Sequence, residues 1–147
     1  MKFDKFTVKA QEVIQQAVTM ADNKEQQAVE NAHIMRAALT EAEDVSHFLL
    51  KKSGVDIQNI ENVLDRMIDS YAKVSGGEPY LSQNANKSLR KALQHANDFG
   101  DEFVSVEHVI LGIFDSGDRV AQMLKDAGVS SDGLKTAIKD LRKGARV

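Results

Sequence analysis

The chain has 147 residues, 42% apolar and 28% charged, with a formal charge of -3. That is the make-up of one ordinary globular unit, with no electrostatic footprint for a nucleic-acid backbone or an anionic membrane. There is no cysteine, so disulfides, thiolate nucleophiles and thiol-ligated zinc are excluded and a reducing compartment, the cytoplasm, is the expected location.

One Pro, two Tyr and no Trp, with abundant Ala, Leu, Gln, Glu and Lys, point to helices rather than sheet. The opening Met1-Lys2-Phe3-Asp4-Lys5-Phe6 lacks the apolar stretch of a leader, and nothing later approaches the roughly 18 apolar residues of a membrane span. Thr7 is a good N-cap, and Ala10, Val13, Ile14, Ala17, Val18 and Ala21 follow at helical spacing, which predicts a first helix burying that stripe. A second helix is predicted from about Asn31 to Leu39. A short third carries Val45, Phe48, Leu49 and Leu50 and stops at Gly54, and a fourth, after an Asp56 cap, carries Ile57, Ile60, Val63, Leu64, Met67 and Ile68. Lys73-Val74-Ser75-Gly76-Gly77-Glu78-Pro79-Tyr80 has linker composition.

The pattern then begins again. Ser82 caps a helix with Ala85, Leu89, Ala92, Leu93 and Ala96 inward and Gly100 at its end, and Ser105 caps a helix, Val106 to Phe114, so apolar that burial on nearly all sides is predicted. Val120, Ala121, Met123 and Leu124 form a short helix stopped by Gly128, and Leu134, Ala137, Ile138 and Leu141 mark the last. From Lys143 onward the periodicity is lost, as expected of the start of a tether.

Sliding the chain along itself by 75 residues makes the repetition explicit. Phe6-Thr7 falls on Leu81-Ser82, Ile14 on Leu89, Val29 on Val104, His33 on His108 and Leu49 on Leu124; after a slip to 74, Gly54-Val55 falls on Gly128-Val129 and Leu64 on Ile138. The fold expected is all-α: eight helices as two tandem four-helix repeats, 6–72 and 81–143, with a linker at 73–80 and a tether from 144. A four-helix unit of about 70 residues has a core too small to be secure alone, so the two are expected to pack about a pseudo-twofold axis as a single domain, 1–147. Phe6 and Leu81 sit just before their caps, where a hydrophobic staple would pair them with the fourth helical position. That position is polar in both copies, Gln11 and Asn86, so the junction between the units is expected to take them.

Chemistry is sparse. Gly112-Ile113-Phe114-Asp115-Ser116-Gly117 has the glycine spacing of a phosphate-binding loop, but Asp118-Arg119 follows where Lys and a hydroxyl are needed, and Gly112 lies inside a helical pattern. No two of His33, His47, His95 and His108 have metal-ligand spacing on a helix. His33 and His108 occupy equivalent places near helix starts, which points to satisfaction of backbone groups there. No Ser stands in a nucleophile elbow. Catalytic residues, metal and cofactor are therefore not expected in this segment, and the question becomes what it binds.

Phe6-Thr7-Val8-Lys9-Ala10-Gln11, Pro79-Tyr80-Leu81-Ser82 and Gly100-Asp101-Glu102-Phe103-Val104-Ser105-Val106-Glu107-His108 resemble the double Clp N-terminal repeat, over essentially the whole chain. The start and the Gly-Gly-Glu-Pro-Tyr-Leu-Ser linker look most like the ClpB-type protein disaggregases among the Hsp100 chaperones. The resemblance implies a non-catalytic domain tethered to a hexameric AAA+ ATPase, with ATP and magnesium bound only beyond this segment. It further implies engagement of unfolded or aggregated polypeptide and an Hsp70 system acting through other domains. The alternative is the adaptor-docking N-domain of a protease-coupled Clp unfoldase of the ClpC or ClpA type. Ala32 departs from the family pattern, which often places an acid before the His as at Glu107, so full symmetry between the copies is not expected.

A client without a fixed sequence calls for an apolar groove with polar groups at its rim, and the interface between two like units is the natural place for one. Thr7, Phe6, Leu81, Asp101, Phe103 and Glu107 are the expected substrate-binding residues. On this reading, charge reversal at Asp101 or Glu107 alters client binding without lowering thermal stability. The competing reading is that Thr7, Asp101 and Glu107 cap helices while Phe6, Leu81 and Phe103 fill the seam.

Overall fold

Side-chain caps set the helix starts that the sequence marks. Thr7 Oγ1 accepts the Ala10 N–H at 3.1 Å and Ser82 Oγ the Ala85 N–H at 3.0 Å, while Asp56, Asp118 and Ser130 cap in the same way. In the computed structural model, which describes residues 2–143, the first four helices are α1 (Val8–Asn23), α2 (Asn31–Glu41), α3 (Glu43–Lys52) and α4 (Ile57–Asp69). Their counterparts are α5 (Gln83–Phe99), α6 (Val106–Asp115), α7 (Arg119–Asp126) and α8 (Ser131–Arg142). Gly100, at φ 74°, ends α5 in the left-handed conformation that glycine adopts without steric cost.

The all-α expectation holds, with one addition. β1 (Ala28–Val29) pairs in parallel with β2 (Tyr80–Leu81), and Phe6 forms a matching parallel bridge with Val104. These two contacts are images of each other under the 75-residue shift. The Thr7 N–H donates to the Val104 carbonyl at 2.8 Å, as the Ser82 N–H donates to the Val29 carbonyl at 3.0 Å. Each repeat's opening segment is thus hydrogen-bonded to the other repeat. The linker is held as well: the Val74 and Tyr80 N–H groups donate to the carbonyls of Glu25 and Gln27.

One apolar core runs through both repeats. Ile34, Met35 and Leu39 of α2 and Ile110, Leu111 and Ile113 of α6 are fully buried at its centre. α6 is enclosed on nearly all sides, as its composition predicts. Leu93 is a correction. The buried stripe of α5 runs through Ala85, Ser88, Leu89, Ala92 and Ala96, leaving Leu93 37% exposed at the stripe's edge. Its counterpart Val18 is only half-buried for the same reason. The glycine of the phosphate-loop near-miss has a packing role. A Cβ on Gly112 would collide with the Ser88 backbone carbonyl of α5, so the glycine lets α5 and α6 approach closely. Among the described residues no helix is long and apolar enough to cross a membrane.

Candidate substrate-binding site

The crossing of the opening segments leaves an apolar depression beside α1. Phe3, Val8, Ile14, Val18 and Leu81 line a groove of about 380 Å³, with Gln11, Glu12 and Gln15 among its walls. Val8 is 72% exposed although it opens a helix of a well-packed domain. Phe6 lies beneath the groove's end, 2% exposed, with the Phe3 ring edge-on to it at 5.2 Å. The polar residues that preclude a staple have another use. Gln11 Nε2 donates to the Phe6 carbonyl at 2.9 Å and Asn86 Nδ2 to the Leu81 carbonyl at 3.1 Å, fixing the chain just before each helix.

The six residues singled out from the sequence separate into three environments. Leu81, half-buried, lines the groove, and Phe103 is 37% exposed. Phe6 and Thr7 are structural at that junction, one as core and one as cap. Asp101 and Glu107 do not stand at a rim: they are 9% and 6% exposed and lie in an internal ionic cluster. Arg142 Nη1 reaches Asp101 Oδ2 at 2.6 Å and its Nε reaches Glu107 Oε2 at 3.0 Å, while its guanidinium carbon lies 5.3 Å from the centre of the Phe99 ring. Charge reversal at either acid is therefore expected to cost stability, opposite to the expectation from sequence.

Shifting back one repeat shows how the first copy avoids this cluster. Asp101 corresponds to Gln26, Glu107 to Ala32 and, across the slip to 74, Arg142 to Ile68. Gln26 Nε2 donates to the Ile68 carbonyl at 2.6 Å. Two carboxylates and a guanidinium in one copy thus stand where an amide, a methyl and an apolar side chain stand in the other. With His108 neutral, the second copy's cluster carries one net negative charge, whereas the first copy's counterparts carry none.

The two histidines perform the same duty in both copies. His33 Nδ1 accepts the Glu30 N–H at 2.9 Å, and its Nε2 faces Gln26 Oε1 at 2.8 Å. His108 Nδ1 accepts the Ser105 N–H at 2.8 Å, and its Nε2 faces Asp101 Oδ2 at 2.8 Å. A ring that accepts at Nδ1 and donates at Nε2 is neutral, and protonating Nδ1 would set two N–H groups against each other. Burial, with Lys24 nearby, depresses His33 to about 4, and burial also lowers His108.

Both folded values lie below the unfolded value of 6.5, so the unfolded chain binds protons first and acid favours unfolding. Stability is expected to be complete above pH 6.5 and to fall between there and about 4, by up to roughly 3 kcal/mol from His33. Denaturant melts across that range test this; a flat profile would contradict the neutral-ring assignment.

Phe3, Val8 and Val18 are the groove residues that sequence patterning missed as a set. Their signal is faint: Val8 falls outside the stripe predicted for α1, and Val18, which spacing places inside it, is half-buried at its edge. A second depression of about 460 Å³ between α4 and α7 is lined by Val63, Met67 and Met123, with Arg119 and Asp126 beside them, and involves none of the residues at the crossing. No group of three or more potential metal ligands occurs among the described residues.

The helical fold is shared with known proteins. The family model "Clp repeat (R) N-terminal domain" matches residues 5–127, and the chain belongs to that family. Among curated relatives, the chaperone protein ClpB of Bacteroides thetaiotaomicron is 44% identical over 147 residues, covering 100% of this chain and 17% of the relative. The domain is accordingly of the ClpB type within the Hsp100 chaperones, and it spans about a sixth of the length of the relatives it matches. The N-terminal domain of Hsp104 from Candida albicans superposes with a TM-score of 0.80 at 22% identity, over 97% of this chain and 95% of that one. A ClpV N-domain in complex with a VipB peptide superposes with a TM-score of 0.76 at 14% identity, over 95% and 88% of the two chains.

Proposed function

We propose that residues 1–147 are one domain, the substrate-engaging N-terminal module of an ATP-dependent disaggregase in the cytoplasm, holding unfolded or aggregated polypeptide in the groove beside α1. The observation that carries this reading is the open apolar lining at the crossing of the two repeats, where exposed Val8 stands among half-buried Phe3, Val18 and Leu81. Apolar surface kept open in this way favours a partner without a fixed sequence. Phe103 extends the apolar contact, while Thr7 and Phe6 hold the groove's end in place. Asp101 and Glu107 serve the site from behind, by fixing the segment that carries Phe103. Affinity is weak at a single groove, and a hexameric AAA+ ring, which would supply all ATP and magnesium chemistry, multiplies it through effective concentration. The domain itself turns over no substrate, and an Hsp70 system acts through other parts of the protein.

The test is binding of a fluorescent unfolded model protein to the wild type and to Val8→Asp. Val8 is exposed, so the variant keeps its melting temperature and loses about tenfold in affinity, the weight of one apolar contact replaced by a charge. Unchanged binding removes the groove from the mechanism. The peptide-bound ClpV neighbour favours a second reading, in which this face docks one defined adaptor. A pull-down returning a single folded partner, with no affinity for unfolded clients, selects that reading.

A further inference from the structure

The counterpart of the apolar groove on the second repeat has opposite chemistry. Where the first repeat places Val8, Glu12 and Gln15, the 75-residue shift places Gln83, Lys87 and Arg90. These last three, with Asn84 and Asn86, line a depression of about 390 Å³ on α5. Glu12 is bridged by Lys9 at 3.1 Å in the first copy; the position of Lys9 is Asn84 in the second, which leaves Lys87 without that kind of neighbour. Among the described residues neither Lys87 nor Arg90 takes part in an ion pair. No Asp or Glu occurs anywhere from 79 to 97, in a chain whose net charge is negative. The patch is a local reversal of the protein's overall sign, and fold stability gives no reason for it.

The two surfaces nearly meet. Leu81 lines the apolar groove and Gln83 lines the basic depression, so no more than about 7 Å of backbone separates their edges. A single extended polypeptide of a few residues spans both.

Resting on the proposed client-binding role of the groove, we propose that the domain selects a particular class of unfolded segment: an apolar stretch that runs directly into acidic residues. The apolar part lies against Val8, Val18 and Leu81, and the carboxylates face Lys87 and Arg90. Complementary charge at an exposed patch adds modest affinity and a faster encounter, and both are lost when salt screens it.

The experiment compares fluorescently labelled unstructured peptides that share one apolar core and differ only in a short flank of glutamate, serine or lysine. Fluorescence anisotropy reads their dissociation constants on the wild type and on a Lys87→Glu/Arg90→Glu double variant, with folding checked by circular dichroism. The expected order is glutamate, then serine, then lysine, with about tenfold between the first and last at low salt. The order collapses near 1 M ionic strength, where the screening length is about 3 Å, and the double variant loses or inverts it. Equal binding of all three flanks overturns this inference and leaves the groove's role standing. A glutamate preference that survives in the double variant overturns it too, because the acidic flank then lies elsewhere. If no peptide binds at all, the client-binding reading itself falls.

Discussion

Replacing Arg142 with methionine is expected to cost about 3–5 kcal/mol, the penalty for removing the cation from a buried pair of carboxylates, and to lower the melting temperature by roughly 10 °C or more. The cause is specific. Asp101 has a side chain 0% exposed, and the 9%-exposed Arg142 side chain is the cation in contact with both it and Glu107. A methionine fills the aliphatic volume and stays over the Phe99 ring, so the loss reads charge rather than packing. The decisive control is already written in the other half of the chain. Installing the first copy's residues together, as Asp101→Gln, Glu107→Ala and Arg142→Ile, removes both signs at once and is expected to recover most of the loss. Groups in one network are strongly non-additive, so the triple variant must be far more stable than the sum of its single changes. Additive melts would show that the three side chains do not act as a unit.

Gly112→Ala is the second large effect. The added methyl meets backbone of α5 at Ser88, which cannot swing aside as a side-chain tip would, so the helices must separate along their contact. Overpacking of this kind costs about 1–3 kcal/mol, and more where backbone is the obstacle. Under the 75-residue shift the first repeat carries Ala37 at this position, with Val13 in the place of Ser88, so the close approach at Gly112 belongs to the second copy's own pairing of α5 with α6. Chemical denaturation of Gly112→Ala measures the effect; a change within about 0.5 kcal/mol would mean that α5 and α6 adjust freely.

Much of the architecture was legible because its causes are local. Thr7, Ser82 and Asp56 cap the helices they were expected to cap, since an N-cap needs only its own side chain and the next turn. The duplication gave the pairing of His33 with His108 the right interpretation, as both rings bind the backbone at a helix start. The misses share a different cause. Leu93 was assigned inward by spacing, but the width of the buried arc depends on how α6 lies across α5, which spacing does not encode. The β1–β2 ladder is two residues long and joins segments about 50 positions apart, too short for an alternation signal. Arg142 reads from sequence as a cation at a helix end, where the helix dipole alone would favour it. Its partners lie 35 and 41 positions away, and without it Asp101 and Glu107 look like rim residues. The groove lining was legible only in part: Leu81 was named, whereas Val8 was hidden by its place outside the stripe.

The reciprocal bridges at Phe6–Val104 and Leu81–Val29 have a bearing on how the duplication is held. Donor and acceptor are exchanged across the twofold as they are in an isologous homodimer, so the molecule is in effect a covalent dimer of one ancestral unit. Tying the protomers together makes their association unimolecular, and it frees the two copies of each surface to diverge, since a change made in one is no longer imposed on the other.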